Sequence, residues 1–383
     1  MKLGFLLSTF YPMSGGRESL TFNLARELVK NGHEVHVFTS LLPGTGKEQV
    51  VEGIRIHRTR TWFRYKYYLE FNPGWIRNVM KYRLDVLHVQ SFGFIMADIA
   101  VVLKKLFTHT KLVNSPLGPF MALEKYPLWQ ELMKKAYLFL EKPVNRLYDS
   151  VIQINPEQWR WITKCGVKKE KIFLLVPGIP AELFALQKHE RFAVKWGLKG
   201  KLVISYVGRI QKYKGLDQVI AVLPDILKKH RNVVFLAMGK DAGDMDRLKK
   251  MATDLGVAGN VVFTGPVTED EKLQGLDISQ IFVFPSEWEA FGIAIIEAMA
   301  RGNAVVSTKT EGGRYLIKDG VNGYLYDYRD TDALKKCLIR LLDDEKSRKL
   351  IISNNLKKSR AFSIEKIAGD MEKLYMPLMR VKD

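Results

Sequence analysis

The sequence predicts an α/β protein built from two doubly wound, Rossmann-like domains, and three observations carry that prediction. Short β-rich runs alternate with amphipathic helical stretches from end to end, the signature of parallel βαβ units. A Pro/Gly stretch, VPGIPAELF at Val176–Phe184, interrupts the alternation, which then restarts. The length of 383 residues exceeds the usual single-domain core, so two domains are the default.

In the first half, strands are expected near Lys2–Ser8, Glu34–Thr39, Ile54–Arg58, Val86–Gln90, Lys111–Asn114 and Ser150–Ile154. The clearest helix runs from Glu18 to Asn31, where Asn31 and Gly32 provide the stop. In the second half the strands are KLVISYVG, NVVFLAMG, NVVFTG, QIFVFPS and NAVVST, each followed by a helix or turn. A final helix over Ile364–Met379 follows the last unit and is expected to cross back to the first domain. The domains are therefore drawn as 1–177 with 364–383, and 178–363.

Composition limits the function. A hydrophobic fraction of 47% and a charged fraction of 26% are those of a soluble globular protein. The apolar N-terminal run lacks a basic n-region and a cleavage site and is read as a first buried strand, not a signal peptide. No stretch has the roughly 18 uninterrupted apolar residues of a membrane span, so a cytoplasmic protein, soluble or peripheral at the membrane, is expected. The two cysteines, Cys165 and Cys337, have no metal-ligand spacing and indicate neither a disulfide framework nor a zinc site. A net charge of +19 predicts attraction to an anion: nucleic acid, an acidic membrane or a phosphorylated small molecule.

Doubly wound sheets bind ligands beyond the carboxyl ends of their strands. In STFYPMSGGRES, Gly15 and Gly16 precede a helix, where bare backbone N–H groups and the helix dipole favour an anion. In YVGRIQKYKGLDQ, Gly208 ends a strand and Arg209 and Lys214 follow in one loop, a spacing that suits a diphosphate. In SEWEAFGIAIIEAMARG, Glu289 stands just before a helix whose first turn is expected at Phe291, Gly292 and Ile293. Eight positions on, Glu297 lies about 80° around that helix, so both carboxylates are expected to face one side. A carboxylate at such a place accepts hydrogen bonds from vicinal hydroxyls. A fourth loop, TKTEGGRYL, adds Gly312 and Gly313. The turn at Asp244–Asp246 reads as a helix start, not a metal site, and PGTGKEQ at Pro43–Gln49 fails as a phosphate loop because Glu48 replaces the Ser/Thr.

With these motifs in place, the chain resembles the retaining, nucleotide-sugar-dependent glycosyltransferases of family 4, which have the GT-B fold: two Rossmann-like domains facing across a cleft. The resemblance covers nearly the whole chain, through YPMSGG…LARELVKNGHEVHVFTS, DVLHVQS, VGRIQKYKGLDQVI, PSEWEAFGIAIIEAMARGNAVVST, DGVNGYLYD and FSIEKIAGDM. It implies an acceptor-binding first domain and a donor-binding second one. Arg209 and Lys214 would neutralise the diphosphate of a UDP- or GDP-sugar, Glu297 would hold the ribose, and Glu289 would hydrogen-bond the transferred sugar. Gly208 and the backbone of Ala290, Phe291, Gly292 and Ile293 would contact sugar or phosphates, and Gly15 and Gly16 would close over the donor. Glu289, Arg209 and Lys214 are the catalytic candidates. No cofactor and no metal are expected.

The acceptor would be a glycan or lipid-linked hydroxyl, with Leu117 and Gly118 on its side. Here the chain departs from the family, whose TPHG motif is replaced by NSPLGPF at Asn114–Phe120, with Leu117 where a histidine would fall. Rival readings are a nucleotide-sugar-binding protein without catalysis and a basic nucleic-acid-binding protein. The basic, aromatic stretch Arg55–Trp75 carries no nucleic-acid-binding motif and is read as a contact for an anionic membrane surface. His33 and His88 are read as structural.

Overall fold

The computed structural model describes residues 1–13, 15–65, 69–92, 94–118, 128–185 and 190–380. The chain divides into two compact units, Met1–Gly178 with Ile364–Asp383, and Ile179–Ser363.

The first unit contains strands β1 (Lys2–Leu6), β2 (Glu34–Ser40), β3 (Glu48–Val51), β4 (Ile54–Thr59), β5 (Phe63–Tyr65), β6 (Leu69–Phe71), β7 (Val86–Val89), β8 (Lys111–Asn114), β9 (Ser150–Gln153) and β10 (Ile172–Leu174). Eight of them form one sheet in the order β10-β9-β8-β7-β1-β2-β4-β3, and β5 and β6 form a separate antiparallel hairpin. All pairings in the large sheet are parallel except that of β3 with β4. Because successive side chains of a strand point to opposite faces, β1 feeds two cores. Leu3 and Phe5 pack with Leu24 and Leu28 of the helix Gly16–Lys30 and with Met371 of the C-terminal helix, whereas Leu6 packs on the other face with Trp75, Val79 and Leu87.

The C-terminal helix, Ile364–Arg380, belongs to this unit. Its Glu372 carboxylate meets Asn31 at 2.8 Å and His33 at 2.9 Å, and the Tyr375 hydroxyl meets His88 Nδ1 at 2.7 Å. These contacts give both histidines structural work. Burial holds the His88 imidazole down at about 3. In the unfolded chain it titrates near 6.5, so below that pH the unfolded state binds the extra proton and stability is lost as pH falls. This group alone should cost about 2 kcal/mol between pH 7 and pH 5. Denaturant unfolding at the two pH values should show a smaller loss in His88→Asn by about that amount.

The second unit holds β11 (Leu202–Val207), β12 (Val233–Met238), β13 (Val261–Gly265), β14 (Ile281–Phe284), β15 (Ala304–Thr308) and β16 (Tyr324–Tyr326). They form one sheet, entirely parallel, in the order β13-β12-β11-β14-β15-β16. Helices cover both faces of such a sheet, so its central strands read as continuous apolar runs; all six residues of β12 are buried. The Pro/Gly stretch does not swing free beyond Gly178. Ile179 N–H donates to the Phe362 carbonyl at 2.8 Å, and the Arg301 guanidinium donates to the carbonyls of Leu183 and Ala185.

Five strands, β3, β5, β6, β10 and β16, leave no clear signal in the sequence. The hairpin strands, β10 and β16 have three residues each, and β3 lies exposed at the sheet edge, so none offers an apolar alternation long enough to read.

Candidate active site

In the second unit β11 lies between β12 and β14, so the strand order reverses between β11 and β14. At such a reversal, beyond the carboxyl ends of the strands, open α/β sheets usually hold their ligands. Gly208, Arg209 and Lys214 follow β11, and Glu289 follows β14. Two neighbouring strands thus bring these residues to one place.

Lys214 is buried, and its Nζ donates to Glu289 Oε2 at 2.9 Å. The ammonium lies 4.9 Å from the Tyr213 ring centroid and 5.2 Å from that of Phe284, within cation–π range. Burial works against its charge, but the Glu289 carboxylate and the Tyr206 and Tyr213 phenols outweigh burial and hold it above the ordinary lysine range. Arg209 is exposed, with Nη2 3.3 Å from the Tyr213 hydroxyl, while the Tyr206 hydroxyl donates to the Arg209 carbonyl at 3.0 Å.

The two loops are fastened to each other. The Gln218 amide donates to the carbonyls of Gly215 and Pro285 and accepts from Arg329 N–H, and Glu287 N–H donates to the Tyr213 carbonyl at 2.8 Å. A cation and a carboxylate are therefore held in place before any ligand arrives, which is what electrostatic preorganisation requires.

The start of the following helix differs from the sequence expectation. It runs Ile293–Ala300 with Gly292 as its N-cap, so Phe291 and Glu289 precede it and only Ile293 of the expected first turn is helical. Gly292 has φ 90°, a left-handed conformation that ends the loop and that glycine adopts without strain. Placing Glu289 and Glu297 by rotation around one helix is therefore incorrect. Ala290 and Phe291 are buried, and the Phe291 ring packs near Tyr315 and Phe362, so Phe291 can offer a ligand its backbone but not its ring.

Glu297 lies on the helix and meets a cation absent from the sequence reading: Lys272 Nζ is 2.8 Å from Glu297 Oε1 and 2.6 Å from Glu269 Oε2. Lys272 is buried, and these carboxylates outweigh the effect of burial, keeping it above its usual range. In sequence TEDEKL reads as the polar first turn of a helix, which it is: Thr268 and Glu271 form a capping box for Glu269–Asp277. Nothing in that pattern signals that the lysine turns inward.

Gly312 and Gly313 serve packing. A Cβ on Gly312 would lie 2.1 Å from the Phe291 carbonyl oxygen, and Gly312 N–H donates to the Glu289 carbonyl at 3.1 Å, so the bare backbone supports the Glu289 loop from behind. Asp244 is the N-cap of the helix Met245–Asp254, and its carboxylate pairs with Arg247. Among the described residues no three His, Cys, Asp or Glu side chains gather as a metal site.

In the first unit Gly15 is the extended N-cap of the helix beginning at Gly16; Ser14 lies outside the described residues. Beside them Arg17 Nη2 contacts Ser8 Oγ at 2.8 Å and Glu18 Oε1 at 3.1 Å. Leu117 has φ 60°, rare for a branched residue. Gly118 N–H closes a three-residue turn on the Pro116 carbonyl at 2.7 Å. The Leu117 carbonyl accepts from Gln158 Nε2 at 3.2 Å, and its side chain lines a mainly apolar cavity of about 50 Å³ with His88, Gln90, Ser115 and Met371. Phe120 lies outside the described residues.

Part of the basic, aromatic stretch turns into the core or pairs with acids. Arg58 is buried and donates to the Tyr11 carbonyl and Gln49, Trp75 is buried, Arg55 pairs with Glu34, and Arg64 pairs with Glu70. Trp62, Phe63 and Phe71 remain exposed on the hairpin, and Lys66, Tyr67 and Tyr68 lie outside the described residues.

Two family models match in succession: Glycosyltransferase Family 4 over residues 14–183, and Glycosyl transferases group 1 over residues 188–358. The chain belongs to glycosyltransferase family 4. It is thus a transferase enzyme with the GT-B fold. A relative across most of this family 4 chain is the phosphatidyl-myo-inositol mannosyltransferase of Mycolicibacterium smegmatis, 26% identical over 363 residues, 91% of this chain and 86% of the relative. Among solved structures, a sucrose-phosphate synthase from Thermosynechococcus elongatus matches with a TM-score of 0.84 at 19% identity, covering 100% of both chains. HepE of Anabaena, solved with UDP and glucose, matches with a TM-score of 0.77 at 19% identity, covering 98% of this chain and 100% of that one. At such identities the structural likeness is one of fold. The family 4 assignment rests on the two matched models.

Proposed function

We propose that this family 4 enzyme transfers a sugar from a nucleotide diphosphate donor, a UDP- or GDP-sugar, to a hydroxyl of a glycan or lipid-linked acceptor, with retention and without a metal ion. The observation that carries this reading is the Lys214–Glu289 pair, held between the β11 and β14 loops where the strand order reverses. HepE, with UDP and glucose bound, shares the fold and supports a nucleotide-sugar donor.

In this mechanism the diphosphate leaves toward Lys214 and Arg209, whose charges stabilise the negative charge that develops as the glycosidic bond breaks. Glu289 keeps Lys214 charged and hydrogen-bonds the departing sugar. The acceptor hydroxyl attacks on the same face through an oxocarbenium-like state and gives its proton to the departing diphosphate oxygen, so that the bond to the acceptor forms as the bond to the diphosphate breaks. Glu297 holds the ribose hydroxyls, with Lys272 fixing its carboxylate. Gly208 and the backbone of Ala290, Phe291, Gly292 and Ile293 face sugar and phosphates, Gly15 and Gly16 offer backbone N–H groups to an anion, and Leu117 and Gly118 serve the acceptor side. The positive charge and the exposed Trp62, Phe63 and Phe71 support association with an anionic cytoplasmic membrane surface.

The test supplies UDP- and GDP-sugars with glycan and lipid-linked acceptors in the presence of EDTA, follows release of nucleoside diphosphate, and reads the anomeric coupling of the product by NMR. Release from one donor class with retained configuration is expected. An inverted product, or release abolished by EDTA, contradicts the mechanism.

A further inference from the structure

The helix Leu128–Asn145 of the first unit is built inside out. At about 100° per residue, Leu128, Trp129, Leu132, Met133, Phe139 and Leu140 fall within an arc of about 140°. These six side chains are 56% to 78% exposed. The opposite side turns polar groups toward the protein: the Tyr137 hydroxyl donates to Asp98 Oδ2 at 2.5 Å, Glu141 is buried, and Asn145 donates to the Cys165 carbonyl at 3.0 Å. Ordinary core packing produces the reverse arrangement. Leu106 and Phe107, exposed at the end of the helix that carries Asp98, add to the apolar surface of this unit.

We infer that this helix lies flat on an anionic lipid bilayer, with its apolar arc among the acyl chains and Lys135 and Lys142 at the headgroups. Charge chooses lipid over a second copy of the chain. Beside the arc fall Lys135, Lys142 and one acid, Glu131, a margin that is net positive, and two copies of a chain of net charge +19 repel each other. An anionic surface attracts them instead. The side chains match an interfacial helix, with Trp, Phe and Leu on the buried face and lysine at its margin. Among the described residues no helix is long and apolar enough to cross a membrane, so the contact is one of lying on the surface. The inference rests on the membrane part of the proposed function and moves its main anchor from the Arg55–Trp75 stretch to this helix.

The test is cosedimentation of the full chain with phosphatidylcholine vesicles and with vesicles containing about one third phosphatidylglycerol. Leu132→Glu, Phe139→Glu and, in the hairpin, Trp62→Glu are compared with wild type; all three positions are exposed, and unchanged thermal unfolding verifies that the variants fold. Wild type should bind the anionic vesicles, Leu132→Glu and Phe139→Glu should each weaken binding about tenfold or more, and Trp62→Glu should weaken it about threefold or less. Absence of binding by wild type overturns both the inference and the membrane reading. Binding that Trp62→Glu abolishes and the helix variants retain overturns the inference alone. A dimer in sedimentation velocity that Leu132→Glu dissociates, with no vesicle binding, overturns it in favour of a second copy.

Discussion

Lys214→Ala should lower kcat/KM by about 10²- to 10³-fold, with most of the loss in kcat. The split follows from when the charge is needed. A nucleotide diphosphate already carries negative charge in the ground state, so some binding is lost, but more charge collects on the leaving oxygen as the sugar departs. Lys214 is suited to meet it because Glu289 at 2.9 Å and the surrounding aromatic rings hold its ammonium charged and fixed. Arg209, exposed and free of such a cage, should cost less when replaced. Steady-state kinetics with the accepted donor separates the two. An increase in KM alone for Lys214→Ala would mean that the lysine binds substrate without assisting departure.

Asp277→Ala should destabilise the second unit by about 3–5 kcal/mol. Arg301 is buried, donates through Nε to Asp277 Oδ1 at 2.5 Å, and also pairs with the second carboxylate oxygen through Nη2. The same guanidinium caps the carbonyls of Leu183 and Ala185, so it ties the start of the unit to the helix Ile293–Ala300 and its C-terminal end. Removing the carboxylate leaves a buried cation with carbonyl partners, and breaking one side of such a pair is far more costly than losing a surface ion pair. In a unit of this size the loss corresponds to roughly 10 °C in Tm, measurable by calorimetry. A shift of about 1 °C or less would mean that water reaches the site and screens the charge.

The fold was readable because parallel strands buried on both faces leave continuous apolar runs, such as VVFLAM of β12, that no surface element imitates. The C-terminal helix was readable for the same reason, as its apolar residues had to find a core. Residues that approach through space were not readable. Lys272 stands in a polar first turn, and only the folded chain turns it onto Glu297. Gln218, inside an amphipathic helix, joins two site loops through its amide nitrogen, which donates to the carbonyls of Gly215 and Pro285. Local pattern misled at Phe291, where a large apolar residue beside a glycine reads as the first turn but is a buried plug before a helix that begins at Ile293. It misled again at Arg55–Trp75, whose cations and aromatics look like one surface until Arg58 and Trp75 turn inward.

The central claim is that the residues at the carboxyl ends of β11 and β14 form a nucleotide-sugar site, and ligand-dependent thermal unfolding tests it most directly. Wild type and Lys214→Ala are each melted against UDP-, GDP- and ADP-sugars at saturating concentration. At about 100 times the dissociation constant a ligand adds roughly 2.7 kcal/mol of stability. The account predicts a shift of that order with UDP- or GDP-sugars in wild type and its loss in Lys214→Ala. A shift of equal size in both proteins, or none with any of the nucleotide sugars, would contradict it.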